Sequence, residues 1–242
     1  MSDKQVTVVT PCYNHGLFLD QAIESVLGQI YEDFDYILVD DGSTDNSHNI
    51  MLKYAAQDTR ITIIKMPKQP NWCYPLNVGI KLMTTPFWVW APADDILHKD
   101  LLLRKLDVAQ KNQQAVIYSD STHVDKNGKI IKHSQTTITS NEQLYTDIWQ
   151  TTELFGFTGI WIPKAVFNIV GMFPEHIQYS GDFWWLIRAT QNRINFIRIA
   201  EELFCKRFHR GQLSQRIKLV IKQHVKDIRC ELDEYGRGFK VL

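Results

Sequence analysis

Short apolar runs separated by stretches of helical spacing govern the first half of the chain. Val6–Thr10, Tyr36–Val39, Ile61–Ile64, Phe87–Trp90 and Ala115–Ser119 read as buried strands. Leu17–Gln29 carries Leu19, Ile23, Val26 and Leu27 on one helical stripe, and Pro75–Met83 and Leu101–Gln110 also read as helices. Another helix follows Asp40-Asp41-Gly42-Ser43-Thr44-Asp45, with Thr44 or Asp45 as its cap. Strands alternating with helices demand right-handed crossovers, so the sequence predicts an α/β fold on a mainly parallel sheet.

The rhythm changes after Ser119. Asp120–Ser140 is polar, with Lys126-Asn127-Gly128-Lys129 as a hairpin turn. Helices are expected near Leu144–Trp149, from Pro163 to Val170, over Phe183–Thr190 and over Gln215–Asp233. Strands are expected at Gly159–Ile162 and Ile194–Ile199. The expected organisation is one domain over residues 1–215, with halves 1–120 and 121–215, and a helical extension over 216–242.

Composition excludes several classes. A chain of 242 residues with 44% hydrophobic content can bury a sizeable core, which argues against disorder. With 27 basic and 27 acidic side chains the net charge is zero, unlike a nucleic-acid coat protein, so no nucleic-acid partner is expected. The charge is unevenly spread, at −5 over residues 1–120, −1 over 121–205 and +6 over 206–242. Cys12, Cys73, Cys205 and Cys230 are far apart, which argues against a disulfide framework or zinc knuckle. The N-terminus lacks a signal-peptide pattern, and the longest apolar run, Phe87–Ala93, is far short of the roughly 20 residues that cross a bilayer. A soluble cytoplasmic protein is expected.

Three strands end in chemistry: Pro11-Cys12-Tyr13-Asn14, Asp40-Asp41 and Asp94-Asp95. In open parallel sheets, ligands bind beyond the carboxyl ends of the strands. Neighbouring carboxylates repel unless a proton or cation intervenes, and hard oxygen donors suit Mg2+ or Mn2+. The chain has neither G-x-G-x-x-G after its first strand nor G-K-[ST]. Any diphosphate is therefore neutralised by metal and basic side chains rather than by a glycine-rich loop.

The ordered set of motifs resembles family 2 glycosyltransferases of the GT-A fold. It comprises Val6–Asn14, Ser25–Gln29, Val39–Asp45, Asn77-Val78-Gly79, Asp94-Asp95, Val170–Pro174, Gly181–Trp185 and His209, spanning roughly residues 5–215. The resemblance implies an inverting transfer from a nucleotide-diphosphate sugar, with a UDP-sugar slightly favoured, to a glycan or lipid-linked acceptor in surface polysaccharide assembly. Pro11, Tyr13, Asn14, Asp41, Asn77 and Asp94 are implied to bind the donor. Asp95, Asp94 and His209 are implied to hold Mn2+ or Mg2+, with either aspartate as the main ligand. Asp182 is the implied general base, a role that competes with capping the helix after it. Two positions depart from the family pattern: Pro92 replaces the first aspartate of D-x-D-D, and Gly181 replaces the glutamate of Glu-Asp.

Arg207 and Arg210 are expected near phosphate. Trp184, Trp185, Trp161 and Phe157 are read either as a sugar platform or as core. In the last helix, Ile217, Ile221, Val225, Ile228 and Leu232 form a stripe beside Lys218, Lys222, Lys226 and Arg229. That stripe suits the core, a homodimer contact, or peripheral contact with the inner face of a membrane. Two alternative functions stand beside the leading one: a catalytically silent nucleotide-sugar or glycan-binding module, and a nucleotidyltransferase. The latter lacks its expected glycine-rich basic loop.

Overall fold

The computed structural model describes residues 4–136, 138, 140–148, 155–212 and 223–230. β1 (Val6–Cys12), β2 (Phe34–Asp40), β3 (Ile61–Lys65) and β4 (Phe87–Trp90) form a parallel array in the order β3-β2-β1-β4. The helices α1 (Gly16–Leu27), α2 (Ser47–Ala55) and α3 (Cys73–Leu82) connect them. Residue alternation along β1 divides two cores. Val6, Val8 and Cys12 pack with Leu19, Ile23 and Val26 of α1 on one face, whereas Val9 packs with Leu76 and Ile80 of α3 on the other. Strands buried on both faces read as continuous apolar runs, which is why these were recognisable. Gly79 lets α3 lie directly on β1, because a Cβ there would come within 2.5 Å of Val9.

The second half adds β5 (Ile96–Leu97), α4 (Leu101–Ala109), β6 (Val116–Asp125), β7 (Ile130–Ser134), α5 (Asn141–Asp147), β8 (Trp161–Pro163), α6 (Lys164–Val170), α7 (Gly181–Gln191) and β9 (Phe196–Phe208). The sheet continues β4-β8-β6-β9-β5, and β7 pairs with β6. Among the described residues of this half, parallel pairing survives only between β6 and β9, and the pairs β4–β8, β6–β8, β6–β7 and β5–β9 are antiparallel. The sheet is thus parallel in its first half and mixed in its second.

Two expected strands stop too early in the sequence reading. β6 runs to Asp125 rather than Ser119, and β9 runs to Phe208 rather than Ile199, past register shifts at Ser119–Ser121. The β6 extension is polar, and that of β9 interleaves charged residues with Leu203, Phe204 and Phe208, so neither continues an uninterrupted apolar run. Glu202 is held there by the Thr122 hydroxyl at 2.6 Å and the His133 ring at 2.8 Å. The cap of α2 also differs. Asn46 takes the N-cap position, and Asp45 instead accepts from the Ser47 and Gly16 amides at 2.9 Å each.

Among the described residues, no helix is long and apolar enough to cross a membrane. Residues 223–230 are helical, and Val225 and Ile228 are buried in the core beside α7 rather than displayed. Ile217, Ile221 and Leu232 lie outside the described residues.

Candidate active site

A cleft of about 1580 Å³ opens beyond the carboxyl ends of β1, β2, β4 and β9. Strand order reverses direction around β1, the switch point where such sheets bind ligands. Pro11, Tyr13, Asn14, Asp41, Asp94, Asp95, Asp182 and His209 all line it.

Asn14 adopts a left-handed backbone, φ 56°, and joins the first two loops. Its side-chain oxygen accepts from the Thr44 amide at 2.7 Å, and its backbone amide donates to the Ser43 hydroxyl at 3.1 Å. It therefore shapes the loop on which Tyr13 presents a 40% exposed ring. Asp41 is buried, and its two oxygens accept from Lys68 Nζ at 2.7 Å and the Gln69 amide at 2.8 Å. Burial lifts the Asp41 carboxyl above its ordinary range and outweighs both partners. Lys68 also sits 4.6 Å from the centre of the Tyr13 ring.

The second acidic pair divides its work. Asp94 meets His209 Nε2 at 3.1 Å and His15 Nε2 at 3.9 Å. Each of these three residues offers a ligand atom, and the atoms lie within 4.8 Å of one another. Burial pushes the Asp94 carboxyl up, but the His209 hydrogen bond and the charges of His15 and His209 leave it below its ordinary value. Asp95, the other expected ligand, lines the cleft and stands outside this cluster. Its oxygens accept from the Thr158 hydroxyl at 2.6 Å and the Arg207 amide at 2.8 Å. Burial and the adjacent Asp94 charge push the Asp95 carboxyl up. His15 escaped the sequence reading because nothing in Asn14-His15-Gly16 has ligand spacing to Asp94.

Arg207 was expected near phosphate and is instead a buried bolt. It donates to the Asp94 carbonyl at 2.9 Å, the Lys126 carbonyl at 3.2 Å and Gln21 Oε1 at 2.6 Å, and lies over the Phe18 ring. Lys105 is fully buried and donates to the Gly159 carbonyl at 2.6 Å, bracing the turn that carries Thr158. Burial pulls its ammonium down to about 7. Asn77 does not reach the cleft, contrary to its expected donor contact. Its amide donates to the Phe173 carbonyl and Glu175 Oε1, and its oxygen accepts from the Phe173 amide. It ties α3 to the loop before α7.

Asp182 stands in the first turn of α7, where one oxygen accepts from the Phe183 amide at 2.9 Å. Its own backbone amide also favours the charged form, and among the described residues no other side chain is hydrogen-bonded to it. Burial raises its carboxyl above the ordinary range, against smaller opposing effects from the Phe183 amide and the Lys206 charge. The missing glutamate before it has a steric reason. A Cβ at Gly181 would lie 2.5 Å from Cys73 Sγ and 3.5 Å from Trp72.

Trp161 and Trp185 are fully buried core residues, and Trp184 packs half-buried against that core. Of the expected platform only Phe157 lines the cleft, joined by Trp72, Trp90, Phe155 and Phe183. Trp72 and Trp90 stack with centroids 5.1 Å apart. Arg210 lines the cleft as expected, together with Lys68, Lys126 and Lys206.

The profile of Glycosyl transferase family 2 matches residues 7–169. An uncharacterized glycosyltransferase of Rickettsia bellii is 28% identical over 219 residues, covering 88% of this chain and 31% of that protein. The chain thus spans about a third of that relative's length. The crystal structure of S. aureus TarS 1-349 in complex with UDP-GlcNAc superposes with a TM-score of 0.71 at 18% identity, covering 86% of this chain and 60% of that one. The mannosyltransferase PcManGT from Pyrobaculum calidifontis, in complex with GDP-Man and Mn2+, gives 0.70 at 17% identity, covering 93% and 64%. The domain has the GT-A fold of the glycosyltransferases. The chain belongs to glycosyl transferase family 2.

Proposed function

We propose that the chain is an inverting, divalent-metal-dependent glycosyltransferase, moving a sugar from a nucleoside-diphosphate donor to a hydroxyl of a glycan or lipid-linked acceptor in surface polysaccharide assembly. One observation carries this reading. A single cleft is lined by an open aromatic face at Tyr13, the three-ligand cluster His15–Asp94–His209 and the under-bonded carboxylate of Asp182.

Tyr13 offers its ring to the base. Asp41 has two of roughly four lone-pair positions in use, leaving room for a base N–H. The neighbours' bound UDP-GlcNAc and GDP-Man support a nucleotide-sugar donor. His15, Asp94 and His209 would hold the metal. Two imidazole nitrogens and one carboxylate suit Mn2+ better than Mg2+, which prefers oxygen donors. When bound, the ion offsets charge building on the leaving diphosphate. Asp182 takes the acceptor hydroxyl proton as that oxygen bonds to the anomeric carbon. The bond from that carbon to the diphosphate oxygen breaks, and its electron pair leaves with the nucleoside diphosphate. One displacement inverts the configuration. Burial assists the base, because a raised carboxyl is more basic near neutral pH.

Calorimetric titration with UDP-GlcNAc, UDP-glucose and GDP-mannose, in Mn2+ and then in EDTA, tests the reading. Saturable binding weakened by EDTA is expected, and binding of none of the three refutes it. Asp182→Asn is expected to keep donor affinity and lower transfer by about 10²- to 10⁴-fold, the usual worth of a general base. Equal loss of both would make Asp182 structural.

A further inference from the structure

Ser180 breaks three local rules at once. It is a non-glycine residue with a left-handed backbone, φ 44° and ψ 27°, which side chains seldom adopt. Serine is among the best helix caps, and Ser180 holds the N-cap position of α7, yet its side chain caps nothing. Its residue is 8% exposed, and the hydroxyl is buried with no hydrogen-bond partner. A buried hydroxyl without a partner is uncommon in folded proteins and calls for an explanation.

The surroundings supply one. Ser180 lines the cleft and lies two residues before Asp182. Between them, Gly181 sits against Trp72, which stacks on Trp90. Trp90 also lines the cleft, and its indole N–H is likewise buried and unpartnered. Phe155, Phe157 and Leu186 complete an apolar wall. Aromatic faces beside unspent hydroxyl and N–H groups are complementary to a sugar ring, which presents C–H faces and a rim of hydroxyls. The left-handed backbone then has a use, since it turns the serine away from the helix amides it would otherwise cap.

We propose that Ser180 and Trp90 form an acceptor subsite for a saccharide ring, in which the Ser180 hydroxyl binds a hydroxyl neighbouring the one that Asp182 deprotonates. The hydroxyl is buried as it stands, so binding requires it to turn about χ1 towards the ring. Ser180 is a binding and specificity residue, and this role rests on the glycosyltransferase reading of the cleft.

The test uses the full chain with UDP and Mn2+ present, and tryptophan fluorescence titrated with the p-nitrophenyl β-glycosides of glucose, galactose and N-acetylglucosamine. Saturable binding of at least one is expected. Both Ser180→Ala and Ser180→Gly are expected to weaken it about 5- to 10-fold, the worth of one neutral hydrogen bond, while UDP affinity stays unchanged. The glycine variant also relieves the left-handed backbone, so it is expected to melt higher than the alanine variant, which shows that lost affinity is not lost folding. If no glycoside binds the wild-type chain, or if both variants bind as the wild type does, the subsite is refuted. Failure of the glycosyltransferase reading looks different: glycosides would bind with the expected serine dependence, but none of the three nucleotide sugars would bind with Mn2+ present.

Discussion

Restoring a side chain at Gly181 tests why this chain departs from the family's Glu-Asp pair. A Cβ there would sit 2.5 Å from Cys73 Sγ, more than 1 Å inside an ordinary carbon–sulfur contact. Cys73 is fully buried and cannot swing into solvent, and Trp72 and Pro174 close the other sides at 3.5 and 3.6 Å. Overpacking of this kind typically costs about 1–3 kcal/mol. Gly181→Ala is therefore expected to lower stability by about 1–2 kcal/mol, partly offset by the better helix propensity of alanine, and Gly181→Glu by more. Removing the sulfur should relieve the clash, so Cys73→Ala/Gly181→Ala should show a favourable coupling of about 1 kcal/mol in a double-mutant cycle. Urea unfolding of the four proteins measures the coupling. Additive effects, or a Gly181→Ala variant as stable as the wild type, would refute the packing argument and return the missing glutamate to the realm of function. The cycle also bears on catalysis, because Gly181 carries the backbone into Asp182.

Other outcomes follow from the same contacts. His15→Ala is expected to weaken Mn2+ affinity about 10-fold or more with UDP present, measured by electron paramagnetic resonance, and an unchanged affinity would remove His15 from the ligand set. Lys105 titrates near 7 when folded and at 10.5 when unfolded, so between these values the unfolded chain holds the extra proton. Stability should accordingly rise with pH by about 2 kcal/mol from pH 7 to 9, relative to Lys105→Met, and parallel pH profiles for the two proteins would refute this.

The residues that sequence made legible are those whose role is set by near neighbours. Asp40-Asp41 and Asp94-Asp95 announce themselves because a strand end followed by paired carboxylates is a local pattern, and both faces of β1, β2 and β4 are buried, so their runs are uninterrupted. The second half was harder to read because its strands are half solvated. β7 exposes Ile130 and Ile131, and the far end of β9 interleaves Leu203, Phe204 and Phe208 with charged residues, so neither repeats the uninterrupted apolar signal. The division of labour within the second acidic pair is a tertiary fact. Asp94 and Asp95 are equivalent in sequence, but only Asp95 lies under Thr158 and the Arg207 amide, 63 and 112 residues away. Arg207 reaches Gln21 across 186 residues, and a basic residue beside a cleft motif gives no sign that it points into the core rather than at phosphate. The same distance hides His15, which becomes a ligand candidate only when the end of β9 delivers His209 to Asp94. The +6 tail fits this pattern. Its lysines lie largely outside the described residues, whereas Arg207 and His209 at its start contribute by holding the acidic loop of the first half. At its root, the basic tail is the fastening of the site itself.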